Sequence, residues 1–405
     1  MSFPLVPFLT VCDFQGGTQP PKSTFINVEE DGYIRLLQIQ DFKRSDKKVF
    51  IPIKKTLKTC QSHDILIARY GASLGKILTG LAGAYNVALT KTIPDLKVLD
   101  KKYLYYFLVS DTFQGFLKSV GSRAAQAGFN KDDFAELKIP LPPLETQKQI
   151  AAVLKKADQL RKDCQQMEKE LNSLAQSVFI DMFGSQAESY SEWPTKRIEE
   201  LAENKKGSMR TGPFGSDLKH SEFVDEGIAV IGIDNAVKNE FAWGERRFIT
   251  TEKYEKLKRY RVYPKDLIIT IMGTTGRIAV IPDDIPVSIS TKHLAVITLD
   301  KEKVKPDFLA IAIKTHPDLL SQIKDSNKGA IMDGLNLSLI KALTFRLPPI
   351  DLQLDYLAAL KVIQNRVDEV RLSHVQAVNL FNSLMQKAFS GELNPEGSPH
   401  KSAIA

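Results

Sequence analysis

Cysteine is scarce: Cys12, Cys60 and Cys164 are the only three in 405 residues, an odd number too widely spaced for a disulfide framework or a zinc knuckle. Long apolar runs are missing too. Nothing approaches the ~18 residues of a membrane span, and Met1 to Thr10 lacks the charged-then-apolar pattern of a signal peptide. A cytoplasmic protein with no membrane partner is therefore expected. His63, His220, His293, His316, His374 and His400 form no pair at metal-ligand spacing. Gly71-Ala-Ser-Leu-Gly-Lys76 has three residues between its glycines and Ile77 after the lysine. A phosphate loop needs four residues there, with Ser or Thr following. Leu141-Pro-Pro-Leu144 lacks the amide or carboxylate and the aromatic ring with which a methyltransferase motif grips a flipped adenine. Pro94-Asp95 and the distant Glu136-Leu-Lys138 match a metal-nuclease pattern only superficially. No catalytic residue, metal site or bound cofactor is expected on this chain.

What is present is a hydrophobic content of 43% and a formal charge of +7, enough apolar surface for two or three domain cores. The charge is uneven. Residues 1–141 hold 19 Lys and Arg against 13 Asp and Glu, and residues 184–347 hold 25 against 23. Residues 144–183 balance at 6 and 6, and residues 351–405 hold 5 against 6. The basic excess thus lies outside the helical segments described next, and is compatible with a polyanionic partner.

The second half of the chain echoes the first in the same order. Ile34-Arg-Leu-Leu-Gln-Ile-Gln-Asp41 resembles Ile228-Ala-Val-Ile-Gly-Ile-Asp-Asn235. Asp64-Ile-Leu-Ile67 with Gly71-Ala-Ser-Leu-Gly-Lys76 resembles Asp266-Leu-Ile-Ile269 with Gly273-Thr-Thr-Gly-Arg277. Lys138-Ile-Pro-Leu-Pro-Pro143 resembles Phe345-Arg-Leu-Pro-Pro349, and a long helical pattern follows each proline pair, closing at Phe179 or Phe389. The expected fold class is α+β: two globular domains of mixed strand and helix, separated by two long antiparallel coiled-coil helices in a pseudo-two-fold tandem repeat. The divisions expected are 1–141, 142–184, 185–347 and 348–393, with a flexible tail at 394–405.

Apolar residues recur at alternating steps of three and four in both helical segments. The first seam runs Ile150, Val153, Ala157, Leu160, Cys164, Met167, Leu171, Leu174 and Val178. The second runs Tyr356, Leu360, Ile363, Val367, Val370, His374, Ala377, Phe381, Leu384 and Ala388. Such heptads predict a coiled coil, and about 40 residues at about 1.5 Å each make a spacer of roughly 60 Å. His374 is expected to be a packed seam residue that sets register.

Leu141-Pro-Pro-Leu-Glu-Thr-Gln-Lys-Gln-Ile150, Phe179-Ile-Asp-Met-Phe-Gly184, Lys387-Ala-Phe-Ser-Gly-Glu-Leu393 and Thr211-Gly-Pro-Phe-Gly-Ser-Asp-Leu-Lys219 resemble segments of the specificity subunits of type I restriction-modification enzymes. The resemblance covers residues 5 to 393. One departure is Asp351-Leu-Gln353 where the first half has Glu145-Thr-Gln147. The resemblance implies a non-catalytic DNA-binding subunit that reads a bipartite target and directs adenine methylation or cleavage by its partners. Those would be two methyltransferase subunits and translocating restriction subunits, which would carry S-adenosylmethionine, ATP and magnesium. Polar and cationic residues near loops and strand ends are the candidate contacts to double-stranded DNA: Gln38, Lys43, Arg44, Arg69, Tyr70, Ser73, Lys76, Arg123 and Gln126 in the first half. In the second they are Arg210, Thr211, Asn235, Thr274, Thr275, Arg277 and Lys328. A coiled-coil scaffold that binds protein and not DNA is the alternative; it predicts no salt-sensitive duplex binding.

Overall fold

The computed structural model describes residues 3–43, 47–121, 128–326 and 335–393. The chain divides into two compact units, Met1–Gln166 with Arg371–Ala405, and Met167–Val370. Each unit takes one end of each long helix.

The first unit holds β1 (Leu5–Pro7), β2 (Cys12–Gly16), β3 (Tyr33–Leu37), β4 (Phe50–Pro52), β5 (Thr59–Cys60), β6 (Leu66–Ala68), β7 (Ile77–Leu78), β8 (Gly83–Tyr85), β9 (Leu89–Pro94) and β10 (Lys138–Pro140), with α1 (Lys101–Val109) and α2 (Asp111–Gly121). The sheets order as β1-β10, β2-β9-β6-β7 and β4-β3-β8-β5. All pairings are antiparallel except β3 with β8. After α3 (Leu144–Phe183) the second unit repeats this plan with β11 (Thr195–Arg197), β12 (Met209–Thr211), β13 (Ile228–Ile231), β14 (Phe248–Ile249), β15 (Arg261–Val262), β16 (Leu267–Thr270), β17 (Ile278–Val280), β18 (Ser288–Ser290), β19 (Leu294–Ile297) and β20 (Thr344–Arg346). Its orders, β11-β20, β12-β19-β16-β17 and β14-β13-β18-β15, reproduce the first set strand for strand, including the parallel β13–β18 pair. Its helices are α4 (Thr251–Leu257), α5 (Pro306–Thr315), α6 (Pro317–Ser326) and α7 (Leu337–Ala342), before the closing α8 (Ile350–Ser390). The α+β tandem repeat expected from sequence is the fold observed.

The runs Asp64-Ile-Leu-Ile67 and Asp266-Leu-Ile-Ile269 are continuously apolar after the aspartate because the strand is covered on both faces. Leu267 and Ile269 join the core beneath α5 and α6, whereas Ile268 joins Ile231 and Val262 of the other sheet. In the first unit Ile67 and Leu66 divide the same way.

A buried glutamine fastens each long helix to its unit. The Gln147 side chain accepts from Asp100 N at 2.8 Å and donates to Val98 O and Pro142 O, both at 2.8 Å. Gln353 accepts from Lys305 N at 2.9 Å and donates to Pro348 O at 2.9 Å and Lys303 O at 3.4 Å. The departure Asp351-Leu-Gln353 therefore leaves the fastening intact, because it falls on the exposed Asp351 and keeps the glutamine.

In the first unit the start of α3 runs against the end of α8, with Ile150, Leu154 and Ala157 in one core with Phe381, Met385 and Ala388. His374 Nδ1 lies 3.1 Å from Arg161 O. In the second unit the end of α3 runs against the start of α8, where Phe179 and Phe183 meet the Tyr356 ring at 5.3 and 5.5 Å. Both arrangements are antiparallel. The α8 seam faces inward at every expected position, with Leu360, Ile363, Val370 and Leu384 half-buried and Val367 and Phe381 buried.

The α3 seam differs at alternate positions. Ile150, Ala157, Cys164, Leu171 and Val178 face inward as expected, but between them stand Leu154, Arg161, Glu168 and Ala175. Val153 is only half-buried beside the fully buried Leu154, and Leu160, Met167 and Leu174 are 49, 50 and 47% exposed. Hydropathy pointed to the more apolar neighbour each time. The helix instead turns Arg161 inward, with its guanidinium 5.1 Å from the Phe381 ring centroid and 2.6 Å from Asp158, so long polar side chains serve as seam residues through their stems. In the isolated chain, Leu160→Gln is expected to change unfolding free energy by less than about 0.5 kcal/mol and Leu154→Ala to cost about 2–5 kcal/mol. Gln147→Ala and Gln353→Ala, which strand buried backbone groups, are each expected to cost about 3 kcal/mol. Urea denaturation checks all four.

Candidate nucleic-acid interface

In each unit the loops that leave the C-terminal ends of the strands corresponding to β2, β3, β6 and β8 meet along one rim: Thr18 N donates to Tyr85 O at 3.0 Å and Asn86 N to Leu37 O at 3.2 Å in the first, and Thr291 N to Ile231 O at 3.0 Å and Ile271 N to His293 O at 2.8 Å in the second. In the first unit the β6–β7 turn is held by Ala68 N to Lys76 O at 2.9 Å and Gly75 N to Ala68 O at 2.9 Å. Gly71 and Gly75 supply φ of +69° and +80°, backbone that glycine adopts without a Cβ penalty. The equivalent β16–β17 turn uses Thr270 N to Arg277 O at 2.9 Å and Gly276 N to Thr270 O at 2.8 Å, with Gly273 and Gly276 at +75° and +82°. Lys76 and Arg277 are therefore structural counterparts, and both are exposed.

The sequence candidates sort by their surroundings. Lys43 and Lys76 come together from two loops: the Lys43 ammonium beside Lys76 holds the Lys76 pKa below the ordinary lysine value. Two adjacent ammonium groups are a ready contact for an anion. Ser73 is half-buried at the same turn, its carbonyl accepting from Lys76 N at 3.0 Å. Tyr70 is exposed, with the Arg69 guanidinium 5.1 Å from its ring centroid. Arg69 also has structural partners, donating from Nε to Phe129 O at 2.8 Å and from an Nη to the Asn130 side chain. Gln38 is half-buried, its backbone N–H donating to Asp41 Oδ2 at 2.7 Å. In the second unit Thr211 and Thr275 are half-buried and Thr274 is exposed. Arg44, Arg123, Gln126 and Lys328 lie outside the described residues.

Two candidates are corrected. Arg210 is not a free cation: its side chain is 9% exposed, and it donates to Arg261 O, Gly207 O, Thr298 Oγ1 and, at 2.7 Å, Asp266 Oδ2. Asn235 is buried; its Oδ1 accepts from Gly232 N at 2.9 Å and its Nδ2 donates to Ala242 O at 3.0 Å. Both hold loops, a role that sequence position alone does not separate from ligand contact.

Sequence reasoning passed over the neighbours Asp234, Arg247, Lys292 and His293. Asp234 and Arg247 form an ion pair with each side chain 33% exposed. They line a cavity of about 570 Å³ with Pro213, Leu218, Phe223 and Val237. Burial, and then Lys292 and Arg247, hold the His293 pKa below the usual histidine value. No spacing rule links these positions, which lie on three different loops.

A family model for the type I restriction modification DNA specificity domain matches residues 10–173 and 190–371. The chain belongs to this family. As a specificity subunit it is the non-catalytic, DNA-sequence-recognising member of a type I system. It is 23% identical over 384 residues to the type I restriction enzyme MjaVIII specificity subunit of Methanocaldococcus jannaschii, covering 92% of this chain and 88% of the relative. It is also 23% identical over 354 residues to the EcoBI specificity subunit of Escherichia coli, covering 79% and 74%. Among solved structures, a chain from work on complex assembly and conformational transition of the type I R-M system matches with a TM-score of 0.62 at 16% identity, covering 97% of this chain and 98% of that one. The type I S subunit from M. genitalium matches with a TM-score of 0.52 at 16% identity, covering 96% of each. Among the described residues, no helix of the specificity subunit is long and apolar enough to cross a membrane.

Two outcomes are expected. Arg210→Ala leaves the buried Asp266 carboxylate without its cation, with only the Tyr263 N–H still donating to it, and costs about 3–5 kcal/mol in urea denaturation. The buried His316 has its pKa lowered, chiefly by burial, from an ordinary 6.5. Above 6.5 both folded and unfolded forms are neutral, while below it the unfolded chain takes a proton that the folded chain resists. The second unit therefore loses stability as pH falls below 6.5. His316→Phe should flatten that slope in thermal melts taken across the range.

Proposed function

We propose that this specificity subunit reads a bipartite double-stranded DNA target, one half-site per recognition unit, and directs adenine methylation or cleavage by partner subunits. The observation that carries this reading is the repetition of one strand plan with different side chains on the two rims. The first rim offers Tyr70, Lys43 and Lys76; the second offers Thr274, Arg277 and the Asp234–Arg247 pair. A shared scaffold with unlike rims suits two unlike half-sites, since groove contacts carry sequence information and scaffold contacts do not.

The functional divisions we assign are 1–141 and 185–347 as recognition domains, with 142–184 and 348–393 as spacer helices that set an unspecified gap between half-sites. The flexible-tail assignment, 394–405, lies outside the described residues. Two methyltransferase subunits would dock largely on the helices and restriction subunits would join for cleavage. S-adenosylmethionine, ATP and magnesium would belong to those partners. The half-exposed Leu160, Met167 and Leu174 are apolar groups on α3 that such docking would cover.

Mapping methylated adenines in cells carrying the subunit and its partners tests the reading. A two-part motif is expected. Replacing residues 190–345 with the equivalent unit of another such subunit should change one half of the motif and keep the other; changes in both halves would contradict modular recognition. Four residues inserted after Lys169 add roughly 6 Å of helix, about two base pairs, so an active variant should keep both half-sites with a longer gap.

A further inference from the structure

The cavity on the second rim has a chemistry that the general reading leaves unexplained. Its apolar walls come from Pro213, Leu218, Phe223 and Val237, and its polar lining includes Asp234, Arg247, Thr291 and His293. Apolar walls with a few convergent polar groups mark a site for a flat organic group. Asp234 and Glu245 line it as well as Arg247 and Lys292, and two carboxylates would repel a phosphate.

The Asp234–Arg247 pair is built in. A Cβ on residue 244 would sit 2.6 Å from Asp234 Oδ2, and one on residue 232 would sit 2.8 Å from Oδ1. Glycine at both positions is what lets the carboxylate lie where it does. Asp234 Oδ1 holds Arg247 Nη2. Arg247 Nε, Asp234 Oδ2 and Thr291 Oγ1 have no hydrogen-bond partner among the described residues. Among the described residues of the first unit the nearest parallel is the Arg35–Asp41 pair, at 3.3 Å, which joins a different strand and turn position.

Resting on the reading above, we infer that Arg247 is the base-reading residue of the second half-site, that it recognises a guanine, and that Asp234 is its positioning residue. A guanidinium presents a rigid fork of donors, and guanine O6 and N7 are the paired acceptors of the major groove that fit it. Lys292 and His293, which also line the cavity, add donors that suit the same acceptor-rich edge. Phe214, next in the chain to the lining Pro213, is 51% exposed.

The test uses the full-length chain and the duplex defined by its wild-type methylation map. Wild type, Arg247→Lys and Asp234→Asn are titrated against versions carrying each base pair at every position of both half-sites, with thermal melts alongside. Lysine keeps the charge but not the planar fork. Wild type should prefer one guanine of the second half-site by about tenfold or more. Arg247→Lys should lose that preference, Asp234→Asn should weaken it at the same guanine, and the first half-site should be unaffected. The inference is overturned if the second half-site contains no guanine, or if either variant keeps full discrimination at every guanine. It is also overturned if Arg247→Lys loses affinity equally for all duplexes while melting as wild type, which would make Arg247 a backbone contact. A wild-type map without a two-part motif would instead remove the reading of function on which the inference rests.

Discussion

Each recognition unit is tied to a long helix by one buried glutamine, and the geometry of the rest follows from that fastening. Gln147 and Gln353 each satisfy the carbonyl of the first proline of a pair and backbone groups just before a helix of the globular unit, α1 for Gln147 and α5 for Gln353. Prolines cannot continue a helix backward, so the chain direction changes there while the side-chain amide carries hydrogen bonding across the break. An amide suits this place because it supplies donors and an acceptor without charge. A glutamate would bring a buried charge without its donors.

Aromatic packing completes the attachment at the far end of each helix. Phe389 of α8 meets Tyr103 and Phe107 at 5.3 and 5.5 Å in the first unit. Phe179 of α3 meets Phe308 at 5.9 Å in the second. Each unit is thus closed by the start of one helix and the end of the other, which is why compactness divides the chain through the helices. Stability and repetition are carried by the same residues: apolar strand runs, glutamine clamps and terminal phenylalanines.

Variation is confined elsewhere. The turn carrying Lys76 and the turn carrying Arg277 share two backbone hydrogen bonds and two left-handed glycines, yet their exposed side chains differ. A rigid strand end that presents exchangeable loops permits the surface to change without repacking a core. The second unit also adds α4 between β14 and β15, where the first has only residues 53–58.

Backbone plan was legible in the chain because period and order are local properties. The repeat, the two helices, the α8 seam from Tyr356 to Ala388 and the glycine turns all follow from hydrophobic period and residue type. The α3 seam was half legible, since Arg161 and Glu168 face inward and hydropathy rewards Leu160 and Met167. The site was less so. A polar side chain near a strand end reads the same in sequence whether it meets solvent, as Lys76 does, or caps a loop, as Arg210 and Asn235 do. Only the folded arrangement, which brings Asp234, Arg247 and His293 from three loops into one cavity, decided that, because burial and partners are set by contacts between residues that no spacing along the chain connects.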